Sequence, residues 1–182
     1  MQRRLAVSDA DKRAKAESKA WQRALSPRWD LGIIPCTAGK HADGVTPLTL
    51  YKGSAFSLMM RHARQRCDHI LIMSAKYGLL RLDDPVSYYD AYLPELTEQQ
   101  RQNLRLKLRA QLAETIPQSL YKDWPQRRVL SYLPKAYQDF LHLETQKYRH
   151  VFHRPYQGLN MLRLSACLSA EIELYGKSPA RR

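Results

Sequence analysis

The amino-acid sequence predicts an α/β protein, a three-layer α/β/α sandwich with a mostly parallel central sheet. Three short apolar runs, at 30–36, 69–74 and 129–133, have the composition of buried strands. Segments with helical spacing alternate with them, and no repeat or second-domain boundary interrupts the series. In such sheets the ligand crevice lies beyond the carboxyl ends of the strands. The loop after each strand is therefore the place to look for chemistry.

Each element has a local reason. Ser8 or Asp9 can cap a helix that runs to about residue 25, rich in Ala, Lys and Arg, before Pro27 stops it. Residues 1–28 read as a basic N-terminal arm and 29–182 as one α/β domain. The first strand, 30–36, holds Leu31, Gly32, Ile33 and Ile34 and ends in a Gly/Thr/Lys loop. Residues 50–66 set Ala55, Leu58, Met59 and Ala63 on one side of a helix, and Arg61 and Arg64 on the other. The run from His69 to Ser74 is the clearest strand. Thr97 and Gln100 form a capping box ahead of a basic amphipathic helix, which Pro117 ends near residue 116. Residues 129–133 give the third strand. Pro134 suits the first turn of a helix carrying Tyr137, Phe140 and Leu141, and a last helix covers about 159–173 after Gly158.

The 182 residues are enough to bury a core without disulfides or metals. Lys and Arg number 30 against 17 Asp and Glu, a formal net charge of +13, and the pI is near 9.9. That balance points to a polyanion, most simply DNA or RNA. No apolar run approaches the roughly twenty residues of a membrane span, and the first thirty residues lack an apolar signal core. Cys36, Cys67 and Cys167 are odd in number and widely spaced, as in reduced thiols. The expectation is a cytoplasmic protein with no membrane contact and no obligate protein partner.

The charge is unevenly laid out. Residues 1–28 hold eight Lys or Arg against three acids, and Arg61, Arg64 and Arg66 make a second cluster. Residues 82–100 hold no Lys or Arg at all, yet include Asp83, Asp84, Asp90, Glu95 and Glu98. A carboxylate cluster repels phosphate, so it needs a compensating reason. Asp90 is the least easily explained, because it sits among Tyr88, Tyr89 and Tyr92.

The strand-end loops carry the candidate chemistry. Gly39-Lys40 after the first strand invites a phosphate-loop reading, but Ile34 stands where the first glycine belongs and His41 where Ser or Thr belongs. The spacing argues against ATP hydrolysis, while Thr37 and Lys40 remain suited to holding a single phosphate. Four stretches are recognisable: Pro35-Cys36-Thr37 with Lys40; Leu50-Tyr51-Lys52-Gly53-Ser54; Ser74-Ala75-Lys76-Tyr77-Gly78-Leu79-Leu80; and Tyr89-Asp90. Together they resemble the YaaA-like superfamily over roughly 30–175. Pro155-Tyr156-Gln157-Gly158-Leu159-Asn160 is similar to its Gly-Leu-Gly turn, with Asn160 replacing the second glycine. The resemblance implies a uracil-DNA-glycosylase-like fold. It further implies a DNA glycosylase close to phage-defence enzymes that excise glucosylated hydroxymethylcytosine, with no metal or other cofactor.

Base excision breaks an N-glycosidic bond through an oxocarbenium-like sugar, so it needs a carboxylate beside the sugar and donors for the departing base. The base must leave the stack and be held by aromatic faces. Asp90 is the first choice for the carboxylate and Asp84 the second, with a turn aspartate capping its own loop as the plain alternative. Cys36, Tyr77, Tyr89 and Tyr92 are assigned to the base pocket. Thr37, Lys40, Tyr51, Ser54, Ser74, Lys76, Arg149, His153 and Arg154 are assigned to phosphates and DNA. His150 and His153 are three apart, but no further ligand lies near them in the sequence, so no metal site is assigned. Two rival readings stand beside the glycosylase: a non-catalytic DNA-binding protein that shields DNA, and a hydrolase or transglycosylase acting on nucleosides or tRNA.

Overall fold

A computed structural model describes residues 28–114, 128–144, 152–156 and 158–176. The N-terminal arm up to residue 27, and Arg149, lie outside the described residues. The strands are β1 (Trp29–Pro35), β2 (Cys67–Ser74), β3 (Gly78–Leu80), β4 (Val129–Ser131) and β5 (Phe152–His153). The helices are α1 (Pro47–Leu50), α2 (Ser54–Arg66), α3 (Glu98–Glu114), α4 (Lys135–Glu144) and α5 (Met161–Gly176), with a 3-10 turn at Leu93–Glu95.

The sheet order is β3-β2-β1-β4-β5. β1 pairs in parallel with β2, Leu31 opposite His69 and Pro35 opposite Met73, and in parallel with β4. β5 continues the parallel run beside β4, and only β3 is antiparallel, folded back on β2 at the edge. The fold is thus mixed α/β with an open, mostly parallel sheet. Among the described residues no helix is long and apolar enough to cross a membrane.

Alternation along β1 divides the apolar residues between two cores. Leu31 and Ile33 join Leu71, Met73 and Val129 with Leu104 and Leu108 of α3 and Phe140 of α4. Ile34 joins Ile72 and Leu130 with Phe56, Met59 and Ala63 of α2 and Leu168 of α5. A central strand buried on both faces has no solvent side to mark with polar residues, which is why 30–36 reads as a continuous apolar run.

Gly32 sits where β1 is most tightly covered. A Cβ there would meet Cys67 Sγ at 2.8 Å and Ala63 Cβ at 3.6 Å. Gly32→Ala is therefore expected to cost about 1–3 kcal/mol by overpacking, read as a lower urea midpoint at unchanged slope. Gly176→Ala, with nothing within 4 Å of its added methyl, is the matched control and is expected to cost nothing. Equal midpoints for the two variants would contradict the close packing.

The helix expected over 50–66 is split. Tyr51 leaves the helical region, and Gly53 takes φ 124°, a left-handed conformation that a side chain disfavours. The break ends α1 after one turn and starts α2 at Ser54. The capping box at the start of α3 forms as its sequence predicts: Thr97 N–H donates to Gln100 Oε1 (2.8 Å), and Gln100 N–H to Thr97 Oγ1 (3.2 Å).

Candidate functional site

The carboxyl ends of β1 and β2 lie side by side, and Cys36 N–H still donates to Met73 O at 2.9 Å beyond the last strand residue. The chain then turns away from the sheet as a braced loop. Thr37 Oγ1 lies 2.9 Å from Gly39 O and 3.0 Å from Lys52 O, so its one proton serves either carbonyl. Lys52 N–H donates to Gly39 O (3.0 Å), and Lys40 forms an antiparallel bridge with Tyr51. These bonds pin the loop after β1 to the break before α2.

The loop after β2 is organised by one hydroxyl. Ser74 Oγ accepts from Lys76 N–H (3.2 Å) and Tyr77 N–H (3.0 Å) and lies 2.8 Å from Tyr89 Oη. With both lone pairs occupied, Ser74 must donate to Tyr89. Tyr89 then gives its own proton to Tyr51 Oη, also 2.8 Å away. Burial pushes the Tyr51 hydroxyl up to about 12 and the Tyr89 hydroxyl higher still, so both stay protonated at neutral pH.

Two cations sit over this hydroxyl chain. Lys40 Nζ lies 4.4 Å from the Tyr89 ring centroid, and Lys76 Nζ lies 4.9 Å from that of Tyr77 and 5.6 Å from that of Tyr89. Lys40 is only 8% exposed, and its one hydrogen-bond contact among the described residues is Ala38 O at 3.5 Å. A buried ammonium so poorly partnered is a ready acceptor of anionic charge.

Beside the network lies a cavity of about 220 Å³. It is lined by Cys36, Thr37 and Lys40 from the loop after β1, Met59 from α2, Tyr137 from α4, and Asp90 and Tyr92 from the segment before the 3-10 turn. Cys36 Sγ and Tyr137 Oη are 3.5 Å apart. Asp90 is exposed, and its carboxylate makes no hydrogen bond or ion pair among the described residues.

Its segment is held from below. Val86 N–H donates to Val45 O (3.0 Å), Tyr77 Oη lies 3.0 Å from Ser87 Oγ, and Tyr89 and Leu93 are buried. Asp90 is thereby presented at the cavity without being neutralised by a neighbour.

Residues 31–170 match the family of unknown function DUF6884. The chain belongs to this family. No curated protein matches it, and no solved structure does. The matched span runs from β1 into α5, so the cavity and its hydroxyl network fall inside the DUF6884 region.

Of the residues singled out in this DUF6884 sequence, Cys36, Thr37, Lys40, Asp90 and Tyr92 line the cavity together. Tyr51, Ser74, Lys76, Tyr77 and Tyr89 come together next to it, as the network beneath the loops. Tyr89 was expected to offer a stacking face. It is 6% exposed, with the Tyr77 and Tyr51 rings set edge-on to it at 5.4 and 6.4 Å, so it is a buttress. Ser74 and Tyr51 are likewise buried, with their hydroxyls bonded within the network.

Asp84 accepts Arg81 N–H at 2.7 Å, the bond of a turn aspartate, and does not line the cavity. Ser54 is exposed at the first position of α2, where Gly53 is the cap. His153 packs on Trp29 at 4.6 Å, at the first residue of β1, whereas the cavity opens beyond the last. It takes no part in the cavity, and neither does half-buried Arg154.

Tyr137 is buried and lines the cavity as well. Its signal in the sequence is weak: it is one of two aromatics on an amphipathic helix. His62, which no motif in the sequence singles out, is fully buried with Glu171 in a second polar network between α2 and α5.

The thiols give a direct probe of the cavity. Burial pushes Cys67 up to about 12, and it is 2% exposed, while Cys36 is half-buried and lines the cavity. In mildly alkaline buffer iodoacetamide is expected to alkylate Cys36 long before Cys67. Peptide mass spectrometry reads both. Matching rates for the two thiols would contradict this geometry.

Proposed function

We propose that this DUF6884 protein is a DNA glycosylase that hydrolyses the N-glycosidic bond of a modified base, in defence against phage DNA carrying glucosylated hydroxymethylcytosine. The observation that carries the reading is Asp90: an unpartnered carboxylate at the cavity beyond β1 and β2, in a chain of net charge +13. A carboxylate kept among so many cations is costly for phosphate binding and useful for cation chemistry. As the C1′–N bond lengthens, the sugar becomes oxocarbenium-like, and Asp90 would stabilise it and direct water to C1′. The base leaves with the C1′–N electron pair, stabilised by hydrogen bonds that Lys40 and the Tyr137 hydroxyl would donate; water adds its hydroxyl to C1′, and its proton passes by way of Asp90 to the base.

The dimensions support a base as ligand. The cavity, at about 220 Å³, is below the roughly 300–1,000 Å³ of drug-sized sites. A flipped base fits such a space, while a glucosyl group would project past Tyr92, which is 53% exposed at the rim. Lys76 is exposed beside the network and suited to a flanking phosphate. The open parallel sheet, with separate helical cores on its two faces, supports the three-layer, uracil-DNA-glycosylase-like architecture of the YaaA-like superfamily.

The test is incubation of the protein with T-even phage DNA, unmodified DNA and tRNA, followed by alkali. Alkali-labile sites are expected on the glucosylated DNA alone. Tight binding without such sites on any DNA would replace the enzyme with a DNA-shielding protein. Base release from tRNA alone would place the chemistry on RNA.

A further inference from the structure

Along α2, next to the cavity, runs a groove of about 580 Å³ lined by Tyr51, Phe56, Ser57, Met60, Arg61 and Arg64. Ser57, Arg61 and Arg64 are four and three residues apart, so they share one helical face. All three are exposed. Neither guanidinium makes a hydrogen bond or ion pair among the described residues. Between Asp43 and Asp68 the sequence has no acidic residue, while Lys52, Arg61, Arg64 and Arg66 all fall there. The segment that bears the two exposed arginines carries no carboxylate of its own.

The groove and the cavity are built on the same helix. Ala55 and Met59 of α2 line the cavity, and Phe56, Ser57 and Met60 of the same helix line the groove. Tyr51 belongs to the groove, and its hydroxyl is bonded to Tyr89, beneath cavity-lining Lys40. We infer that the α2 groove carries the phosphate backbone of the DNA strand that enters the cavity, with Arg61 and Arg64 each neutralising one phosphate. The inference rests on the nucleic-acid reading of the cavity but not on base excision. The arm at 1–28, with a net charge of +5, has the wrong sign to fill a groove edged by arginines.

The experiment uses the full chain and a fluorescein-labelled, unmodified DNA duplex, with affinity measured by anisotropy over a series of salt concentrations. For the double variant Arg61→Gln/Arg64→Gln the slope of log K against log salt is expected to fall by about 1.8, from about 0.9 per lost phosphate contact. Its thermal midpoint should match that of the wild type, since both side chains are exposed. A photo-crosslinker on Ser57→Cys is expected to attach to the duplex, which a general loss of charge does not explain. A wild-type salt slope in the double variant overturns the inference. So does crosslinking to poly-glutamate but not to DNA, which would make the groove a site for acidic protein. A reduced slope without abasic sites on any DNA removes excision and leaves the groove. Abasic sites with an unchanged slope do the reverse.

Discussion

Asp90→Asn is expected to lower the rate of abasic-site formation on glucosylated phage DNA by about 10²–10⁴-fold, the range for a positioned acid–base group. DNA affinity should hold or rise, because the change removes a negative charge from the surface proposed to meet phosphate. The side chain is exposed and bonded to nothing among the described residues, so the thermal midpoint should not move. That separates a chemical role from a structural one. Asp84→Ala is the converse control. It gives up the Arg81 N–H bond and is expected to cost about 0.5–1.5 kcal/mol of stability while leaving excision near wild type. If Asp90→Asn cleaves at the wild-type rate, the carboxylate assignment is wrong. If Asp84→Ala proves the inactive one, the two roles are exchanged.

The strands were legible because burial on both faces leaves an unbroken apolar run, as at Leu31, Ile33 and Ile34. The loops that bear Lys40, Lys76 and Asp90 were legible as strand-end stretches, and the parallel sheet does set the first two of those loops together. What escaped is what depends on pairing across the chain. β3 lay unread inside Ser74–Leu80, since three residues of edge strand have too little pattern to separate from a loop. β5 is shorter still.

Tyr89 illustrates the same limit inside the site. Sequence position set it beside Asp90, but its hydroxyl answers to Ser74 and Tyr51, fifteen and thirty-eight residues away. Whether a tyrosine stacks on a ligand or braces a loop is decided by such partners. The network of His62, Tyr132, Tyr156 and Glu171 was likewise invisible, because its members are spread over 109 residues and none has a motif around it.

That network carries the largest expected loss of stability. Tyr156 Oη donates to Glu171 Oε2 at 2.8 Å, and His62 Nε2 lies 3.1 Å from the same oxygen. A carboxylate accepts, so His62 Nε2 donates to it, and His62 Nδ1 lies 2.7 Å from Tyr132 Oη. Burial pushes the Tyr132 hydroxyl well above its ordinary range, so it keeps its proton. The four side chains are between 1% and 8% exposed and join α2, the chain after β4 and α5.

Glu171→Ala strips partners from His62 and Tyr156 at once and is expected to cost about 3–5 kcal/mol, the range for breaking a buried pair. For a chain of this size that lowers the thermal midpoint by about 6–20 °C. His62→Ala should cost a similar amount, since it takes a donor from the buried carboxylate and a partner from Tyr132. The combination Glu171→Leu/His62→Leu/Tyr132→Phe/Tyr156→Phe removes the polar groups together, leaves no orphan among the four, and is expected to lose less than Glu171→Ala alone. Calorimetric or urea melts of the three variants decide it. A loss below about 1 kcal/mol in Glu171→Ala would mean that water reaches the carboxylate and the network is not the joint it looks to be. Near-equal losses in the single and quadruple variants would assign the cost to lost volume instead of stranded polar groups.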